Sequence, residues 1–354
     1  MAGNGSDRQP DALRVGFVGC GLIARSHARG LRAAGDALIV AVHDPDRARA
    51  EAFAAECGAG PESVVGSTEA VIAGSDAVYV CTWTSAHPGA VHAVAAAGKP
   101  VFCEKPLAVD LNATIAMTEA VQQSGVVNQV GLVLRHSPSF RWLHHQVTAT
   151  GAGPLMNVVF RDDQYLPIQG LYDSTWRADR AKAGAGALFE HSIHDLDLLR
   201  WMMGPIRSVN ARIGAVHGLD GIDDQASVLL EAVSGAQATL TSVWHDVLSR
   251  PSQRRVEAFC QGAVFTLSGD WQGPVSTERQ GTEPVPIEGM TLTEAAAAID
   301  GLGVNPDAGF LDAIRSQKRA YPDFAVALEA HRLADAAYRS AAADGTPMLL
   351  AKLN

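Results

Sequence analysis

Between Leu13 and Leu134 the chain alternates short apolar runs with longer amphipathic ones, and that alternation leaves very few folds open to it. "LRVGFVG", "ALIVAVHD", "DAVYVCT", "PVFCEK" and "VVNQVGLVL" have the length and apolar continuity of strands buried on both faces. Between them, "LIARSHARGLRAAG", "PDRARAEAFAAECG", "HPGAVHAVAAAGK" and "DLNATIAMTEAVQQSG" read as helices. Gly35 marks a stop and Pro45 a start. Strands separated by helices of this length pair in parallel through right-handed crossovers, which predicts a doubly wound sheet.

Beyond Pro154 the pattern changes. "LMNVVFRDD", "IRSVNARIGAV", "DDQASVLLEAV", "AQATLTSVWHD" and "RRVEAFCQGAVFTL" follow one another as strands, and "QATLTSVW" alternates as a sheet with one face on a core. The other face needs a cover, which predicts a homodimer or homotetramer built through the open sheet. "GDWQGPVSTERQGTEPVPIEGM" reads as turns and loop, and "YPDFAVALEAHRLADAAYRSAAADG" as a closing helix that stops at Gly345. A length of 354 residues suits two domains. The expected division is a disordered lead-in at 1–12, a dinucleotide-binding domain at 13–135 and a substrate and oligomerisation domain at 136–354.

Charge and cysteine usage narrow the function classes. A net charge of −10, with no basic run longer than Arg254-Arg255, argues against nucleic-acid and anionic-membrane surfaces. Cys20, Cys57, Cys81, Cys103 and Cys260 are widely spaced without C-x-x-C, as expected of free thiols in a reducing cytoplasm. No apolar run approaches the roughly 18 residues that span a bilayer. The expectation is a soluble cytoplasmic protein.

The first strand–helix junction carries Gly19-x-Gly21-x-x-Ala24. Gly19 permits a tight turn, Gly21 lets the backbone approach a pyrophosphate, and Ala24 allows close helix–strand contact. Gly21, Leu22, Ile23 and Ala24 open the helix whose free N–H groups would meet the phosphates. Asp44 ends the second strand, 20 residues past Ala24, where a carboxylate accepts ribose hydroxyls and repels a 2′-phosphate. This predicts NAD over NADP, with Arg47 as the residue that would favour NADP; the competing role for Asp44 is a helix cap before Pro45.

Glu104-Lys105-Pro106 after "AAGKPVFC", together with "GAGALFEHSIHDLDLLRWMMG" and the closing helices, resembles the Gfo/Idh/MocA oxidoreductases, of the glucose–fructose oxidoreductase and inositol dehydrogenase kind. The resemblance implies an α/β protein: an N-terminal Rossmann doubly wound parallel sheet followed by a C-terminal α/β domain with an open, mostly antiparallel sheet. It also implies hydride transfer between NAD(P) and a sugar, cyclitol or related polyol. By position, Lys105 matches the family's catalytic lysine and His194 its catalytic histidine. Glu190 stands where most members have Asp, and Ala185 interrupts the usual triple glycine. Thr82, Trp83, His87, Glu104 and Lys105 fall among its cofactor contacts, with Trp83 in place of the usual proline.

The residue types suit that chemistry independently of the resemblance. Oxidising an alcohol needs a base for the hydroxyl proton, and a lysine at the C-terminal end of a parallel strand stands where such sheets bind ligands. Glu190 and His194 are four apart, so a continuous helix puts them on one face, with the carboxylate orienting the imidazole and Asp197 one turn on. Glu190, His191 and His194 also contain H-x-x-H, but at a spacing that fits zinc ligation poorly, so no metal is expected. The resemblance, in which the segment carrying Arg135 and His136 borders substrate, makes those two expected substrate contacts, with Trp176, Arg177, His191 and His245 beside them. Two rivals remain: a dinucleotide-bound sensor or co-regulator without turnover, and a glycosidase or lyase that uses NAD transiently. Lys105, Glu190 and His194 together count against the sensor, which has no need of them.

Overall fold

In the computed structural model the described residues are 12–301 and 303–350, so the expected lead-in lies outside them except for Ala12. The chain runs β1 (Leu13–Val18), α1 (Leu22–Ala34), β2 (Ala37–His43), α2 (Arg47–Cys57), α3 (Thr68–Gly74), β3 (Ala77–Val80), α4 (His87–Ala96), β4 (Val101–Cys103), α5 (Leu111–Ser124) and β5 (Asn128–Val130). There follow α6 (Pro138–Thr148), β6 (Leu155–Tyr165), α7 (Arg180–Ala183), α8 (Ile193–Met203), β7 (Ile206–Gly214), β8 (Gln225–Ala232), β9 (Gln237–His245) and β10 (Gln253–Cys260). The remainder is β11 (Ala263–Ser268), β12 (Val275–Glu278), α9 (Gly289–Asp300), α10 (Pro306–Ser316), α11 (Phe324–Ala342) and β13 (Met348–Leu349). Two compact units result, each assembled from separate stretches. One takes the chain through Glu104 with Met117–Gly131 and Asn305–Asp323; the other takes Lys105–Ala116, Leu132–Val304 and the chain from Phe324.

The first unit holds a five-stranded sheet in the order β2-β1-β3-β4-β5, parallel throughout. Phe17, Tyr79 and Phe102 stand in register on β1, β3 and β4. Their rings stack at centroid distances of 5.0 and 4.7 Å, so one aromatic ladder ties the centre of the sheet together. Strand order reverses between β1 and β3, the topological switch at which such sheets bind ligands. Gly19 lies there with φ +91°, and a Cβ on it would stand 2.5 Å from the carbonyl oxygen of Cys81. Only glycine meets both demands.

The second unit holds an eight-stranded mixed sheet in the order β12-β11-β10-β6-β9-β8-β7-β13. Its pairings are antiparallel except β6 with β9. Val158, Phe160 and Asp162 of β6 and Leu240, Ser242 and Trp244 of β9 point to the core face, on which α6, α8 and α11 pack. The opposite face leaves Val159 and Leu229 41% and 46% exposed. The segment expected to be turns and loop contains β12 and the first residues of α9. A four-residue strand among glycines and prolines owes its conformation to pairing with β11 rather than to its own pattern. Among the described residues no helix is long and apolar enough to cross a membrane.

A buried charge pins α10 to α1. His27, 3% exposed, has Nδ1 2.7 Å from Asp307 Oδ1 and Nε2 2.9 Å from Glu104 Oε1. Burial disfavours the imidazolium, but the two carboxylates outweigh it and raise the ring to about 10. A ring with two carboxylate partners must donate from both nitrogens, so the cation is the folded form. Its stabilisation is complete below the unfolded value of 6.5 and is lost as pH rises through about 10. His27→Ala should cost about 3–5 kcal/mol in urea unfolding, as broken buried pairs do. A loss below about 1 kcal/mol, the range of exposed pairs, would contradict this account.

Candidate active site

In the first unit the start of α1 is open. Gly21 is its N-cap; among the described residues no side chain caps the helix and nothing beyond the adjoining chain lies within 4 Å of where a Cβ would stand, and the first turn carries no acidic residue. Leu22 and Ile23 are 50% and 38% exposed beside it, whereas Ala24 is buried against the sheet. Uncapped N–H groups at the positive end of a helix dipole suit an anion. Asp44 accepts from the Cys20 backbone N–H at 2.9 Å through Oδ2 and from that of Asp46 at 2.9 Å through Oδ1. Each oxygen keeps a further lone pair for a hydroxyl. Asp46, not Asp44, caps α2, so capping does not account for Asp44. Arg47, the residue that would favour a 2′-phosphate, is held 2.8 Å from Glu51, and Arg49 lies 3.9 Å from Asp44. The uncapped helix, the open space at Gly21 and the spare acceptor capacity of Asp44 fit a dinucleotide.

The remaining expected cofactor contacts divide. Thr82 and Trp83 are partly exposed at the 3-10 turn after β3, with Thr82 Oγ1 donating to the Trp83 carbonyl. His87 is 1% exposed with Nε2 3.1 Å from the Thr82 carbonyl, so its ring braces the turn instead of facing a ligand. Glu104, 5% exposed, turns its carboxylate inward to His27. Both corrections follow from burial, since a polar side chain inside a core bonds to what surrounds it.

In the second unit Lys105, Arg177 and Glu190 converge. Lys105 Nζ donates to the Glu190 carbonyl at 2.6 Å and lies 3.7 Å from Glu190 Oε1, to which Arg177 Nε stands at 2.8 Å. The Arg177 guanidinium also stacks over the Trp176 ring at 4.5 Å. Burial works to raise the Glu190 carboxyl, but Arg177, Lys105 and His191 prevail and hold it at about 2. His194 is 8% exposed; burial first, then the charges of Lys105 and Arg254, push its imidazole well below 6.5. The site therefore sets a neutral histidine beside a buried carboxylate neutralised by two cations.

Glu190 does not orient His194, because the helix between them is interrupted. Ala187–His191 form a π turn, Ser192 N–H bonds the Ala187 carbonyl at 2.9 Å, and α8 starts at Ile193. A wider turn breaks the four-residue repeat that would put both side chains on one face. Glu190 turns to the cations, and His194 Nδ1 is buried with no hydrogen-bond partner among the described residues. The turn is clasped from β8's leading residues. Asp223 accepts from Gly186 N–H at 2.8 Å and Leu188 N–H at 3.0 Å, and Tyr338 donates to it at 2.7 Å.

Three other expectations are corrected. Arg135 is buried and forms a two-pronged pair with Asp197 at 2.7 and 2.8 Å, so this guanidinium and Asp197 serve each other rather than substrate. His245 pairs in register with Tyr165 and lies 3.6 Å from Asp163, on the open face of the sheet. The pleat sends it away from Asp162 and Ser242, which face the core. Arg177 is engaged by Glu190. His136 is buried at the end of the 3-10 turn Val133–His136. His191 keeps a 15% exposed ring in the π turn. Of the residues around that ring, Asp195 was visible only as the residue that follows H-x-x-H, and Asp162 and Arg254 only as unusual charge within the strands "FRDD" and "RRVEAF".

The comparisons agree with one another. A family model described as oxidoreductase family, NAD-binding Rossmann fold, matches residues 13–132, and the GFO/IDH/MocA C-terminal domain matches 140–266. Inositol 2-dehydrogenase of Rhizobium meliloti is 30% identical over 93% of this chain and 97% of its own length. Inositol 2-dehydrogenase of Cereibacter sphaeroides is 35% identical over 64% of this chain, a match that spans 65% of that relative. The crystal structure of GenD2 from gentamicin A biosynthesis, in complex with NAD, superposes with a TM-score of 0.82 at 25% identity, covering 99% of both chains. The chain belongs to the GFO/IDH/MocA oxidoreductase family, and residues 13–132 are that family's NAD-binding Rossmann domain.

A Cβ on Gly186 would stand 1.8 Å from the Asp223 carbonyl oxygen, so Gly186→Ala must displace the π turn. Turnover should fall by about 100-fold or more, the cost of roughly 1 Å of misplacement. Steady-state kinetics on protein whose far-ultraviolet circular dichroism is unchanged checks this, and wild-type turnover would refute it.

Proposed function

We propose that this member of the GFO/IDH/MocA family is an NAD-dependent oxidoreductase that moves a hydride between nicotinamide and a CH–OH carbon of a cyclitol, sugar or related polyol. The observation that carries the reading is the Lys105–Glu190–Arg177 cluster beside a neutral His194, in a chain whose other unit has an uncapped helix start and an open glycine turn. Similarity to two inositol 2-dehydrogenases supports the substrate class, and similarity to NAD-bound GenD2 from gentamicin A biosynthesis supports the coenzyme.

Nicotinamide supplies the hydride acceptor or donor. Gly19, Gly21, Leu22, Ile23, Ala24, Asp44, Thr82 and Trp83 would hold the dinucleotide, with Asp44 on the ribose hydroxyls. His194, uncharged near neutrality, takes the hydroxyl proton, since a base must have its lone pair free at the working pH. The Lys105 ammonium, held at the Glu190 carbonyl, steadies the oxygen by its charge as that oxygen gains charge. Glu190 anchors Lys105 and Arg177, and the Trp176 ring lines the approach. Cys20, Cys81, Cys103 and Cys260 are buried free thiols, which supports a reducing, cytoplasmic setting.

The test is a polyol and keto-sugar panel read at the nicotinamide absorbance with each coenzyme, repeated with Lys105→Ala. NAD should be used in preference to NADP, and Lys105→Ala should lose about 100-fold or more in turnover. Unchanged turnover removes Lys105 from the chemistry; sugar release without net NADH favours the transient-oxidation rival, and no absorbance change at all favours the sensor. The exposed apolar residues Val159 and Leu229 support pairing through the open sheet face. Light scattering should give the mass of a dimer or tetramer, and a monomer at micromolar concentration would dismiss that assembly.

A further inference from the structure

Around the π turn lies a second polar cluster that the roles above do not use. Arg254 on β10 is 2% exposed; its Nε donates to Asp195 Oδ1 at 2.5 Å and its Nη1 to Asp270 Oδ2 at 2.8 Å. Its Nη2 lies 3.4 Å from Asp162 Oδ2. Ser192 Oγ stands 2.9 Å from Asp162 Oδ2 and 2.7 Å from Ser242 Oγ. Asp162 and Asp195 are fully buried. Three carboxylates facing one guanidinium carry more negative charge than it can offset, and in a buried site the excess is removed by taking up a proton.

Asp195 is where that proton belongs. Its Oδ2 is buried and no donor among the described residues reaches it, as expected of a carboxyl oxygen that itself carries hydrogen toward a neighbouring acceptor. Burial, then repulsion from Asp162 against the pull of Arg254, raises the Asp195 carboxyl to about 7. The groups facing the pair are Arg254 from β10, Asp270 from the turn after β11, His191 and Ser192 at the π turn, and Ser242 from β9. Lys105 and Glu190 bear on it through His191.

The cluster reaches the candidate active site through His191. His191 Nε2 is 3.0 Å from Asp162 Oδ2 and 3.2 Å from Arg254 Nη2. Burial, with Arg254 and Lys105, holds this imidazole at about 3, so the ring is neutral and has a single N–H to place. A guanidinium only donates, so Nε2 either accepts from Arg254 or donates to Asp162, and the charge on Asp162 decides which. The Nδ1 edge is the one that neither residue covers, on a ring that is 15% exposed.

We infer that Asp195 stores one proton that keeps Asp162 ionised, and that the two are positioning residues which fix His191 as its Nε2–H tautomer and present Nδ1 as an acceptor for a substrate hydroxyl. The last clause rests on reading this pocket as the oxidoreductase site; the stored proton and the tautomer do not.

The experiment is a ring-resonance titration of isotopically labelled histidine in the full chain from about pH 5 to about pH 9, a span that brackets neutral-range titrations. Neither coenzyme nor substrate is added, so failure of the proposed activity leaves the readout standing. His191→Ala assigns the signals. Wild-type His191 should be Nε2–H, with one step near neutrality as Asp195 ionises while the ring stays neutral. Asp195→Asn, whose amide keeps a donor toward Asp162 and an acceptor for Arg254, should remove the step and keep the tautomer. Asp162→Asn, whose amide donates to Nε2, should flip the ring to Nδ1–H. Wild-type His191 found as Nδ1–H, or no step near neutrality in the wild type, overturns the inference; the one variant these readings need is His191→Ala, for assignment. An Asp195→Asn titration that superimposes on the wild type overturns it as well. In turnover, Asp195→Asn should stay within about threefold of wild type below neutrality while its pH profile loses the neutral step, less than the loss of an acid–base group itself.

Discussion

Charge is tolerated inside the second unit because each buried charge is met where it lies. An ion taken out of water without a partner costs several kcal/mol, so buried ions occur in compensated groups. Glu190 has Arg177 and Lys105, Asp197 has Arg135, and Arg254 has Asp162, Asp195 and Asp270. The same compensation decides protonation. Lys105, one of the cations that keep Glu190 ionised, also helps keep His191 and His194 neutral, so anion, cation and neutral base coexist in one buried layer.

Backbone geometry puts those groups where compensation is possible. The π turn lets Glu190 face the cations while His194 departs on α8, and Asp223 occupies the N–H groups the turn would otherwise leave unpaired. Glycine is required at Gly186 by space alone, since its φ of −103° is open to any residue. At Gly19 both space and a φ of +91° exclude a side chain. Each glycine thus records a backbone approached closely by another, one at the switch of the parallel sheet and one at the π turn.

The parallel sheet, the mixed sheet and the glycine turn were legible because each has a local period. Buried parallel strands read as apolar runs, half-buried strands alternate, and a glycine pattern between strand and helix has few other uses. Lys105, Glu190 and Arg177 were legible as residues but not as a cluster, being 85 and 13 positions apart and joined only by folding. Glu190 with His194 was misread because spacing was converted to geometry through a helix that the chain does not continue. His245 was misread because its pairing with Tyr165, which assigns its face, is a property of two strands together.

The sequence alone determined the order of elements, the two-sheet architecture and the site chemistry available, since these follow from periodicity and residue type along one stretch at a time. Tertiary structure alone decided which charges meet. It gave Arg135 to Asp197, Glu104 to His27 and Arg254 to three carboxylates from separate elements. The physical reason is that a buried ion's partner is chosen by proximity at low dielectric, and proximity between distant positions exists only after the chain has folded.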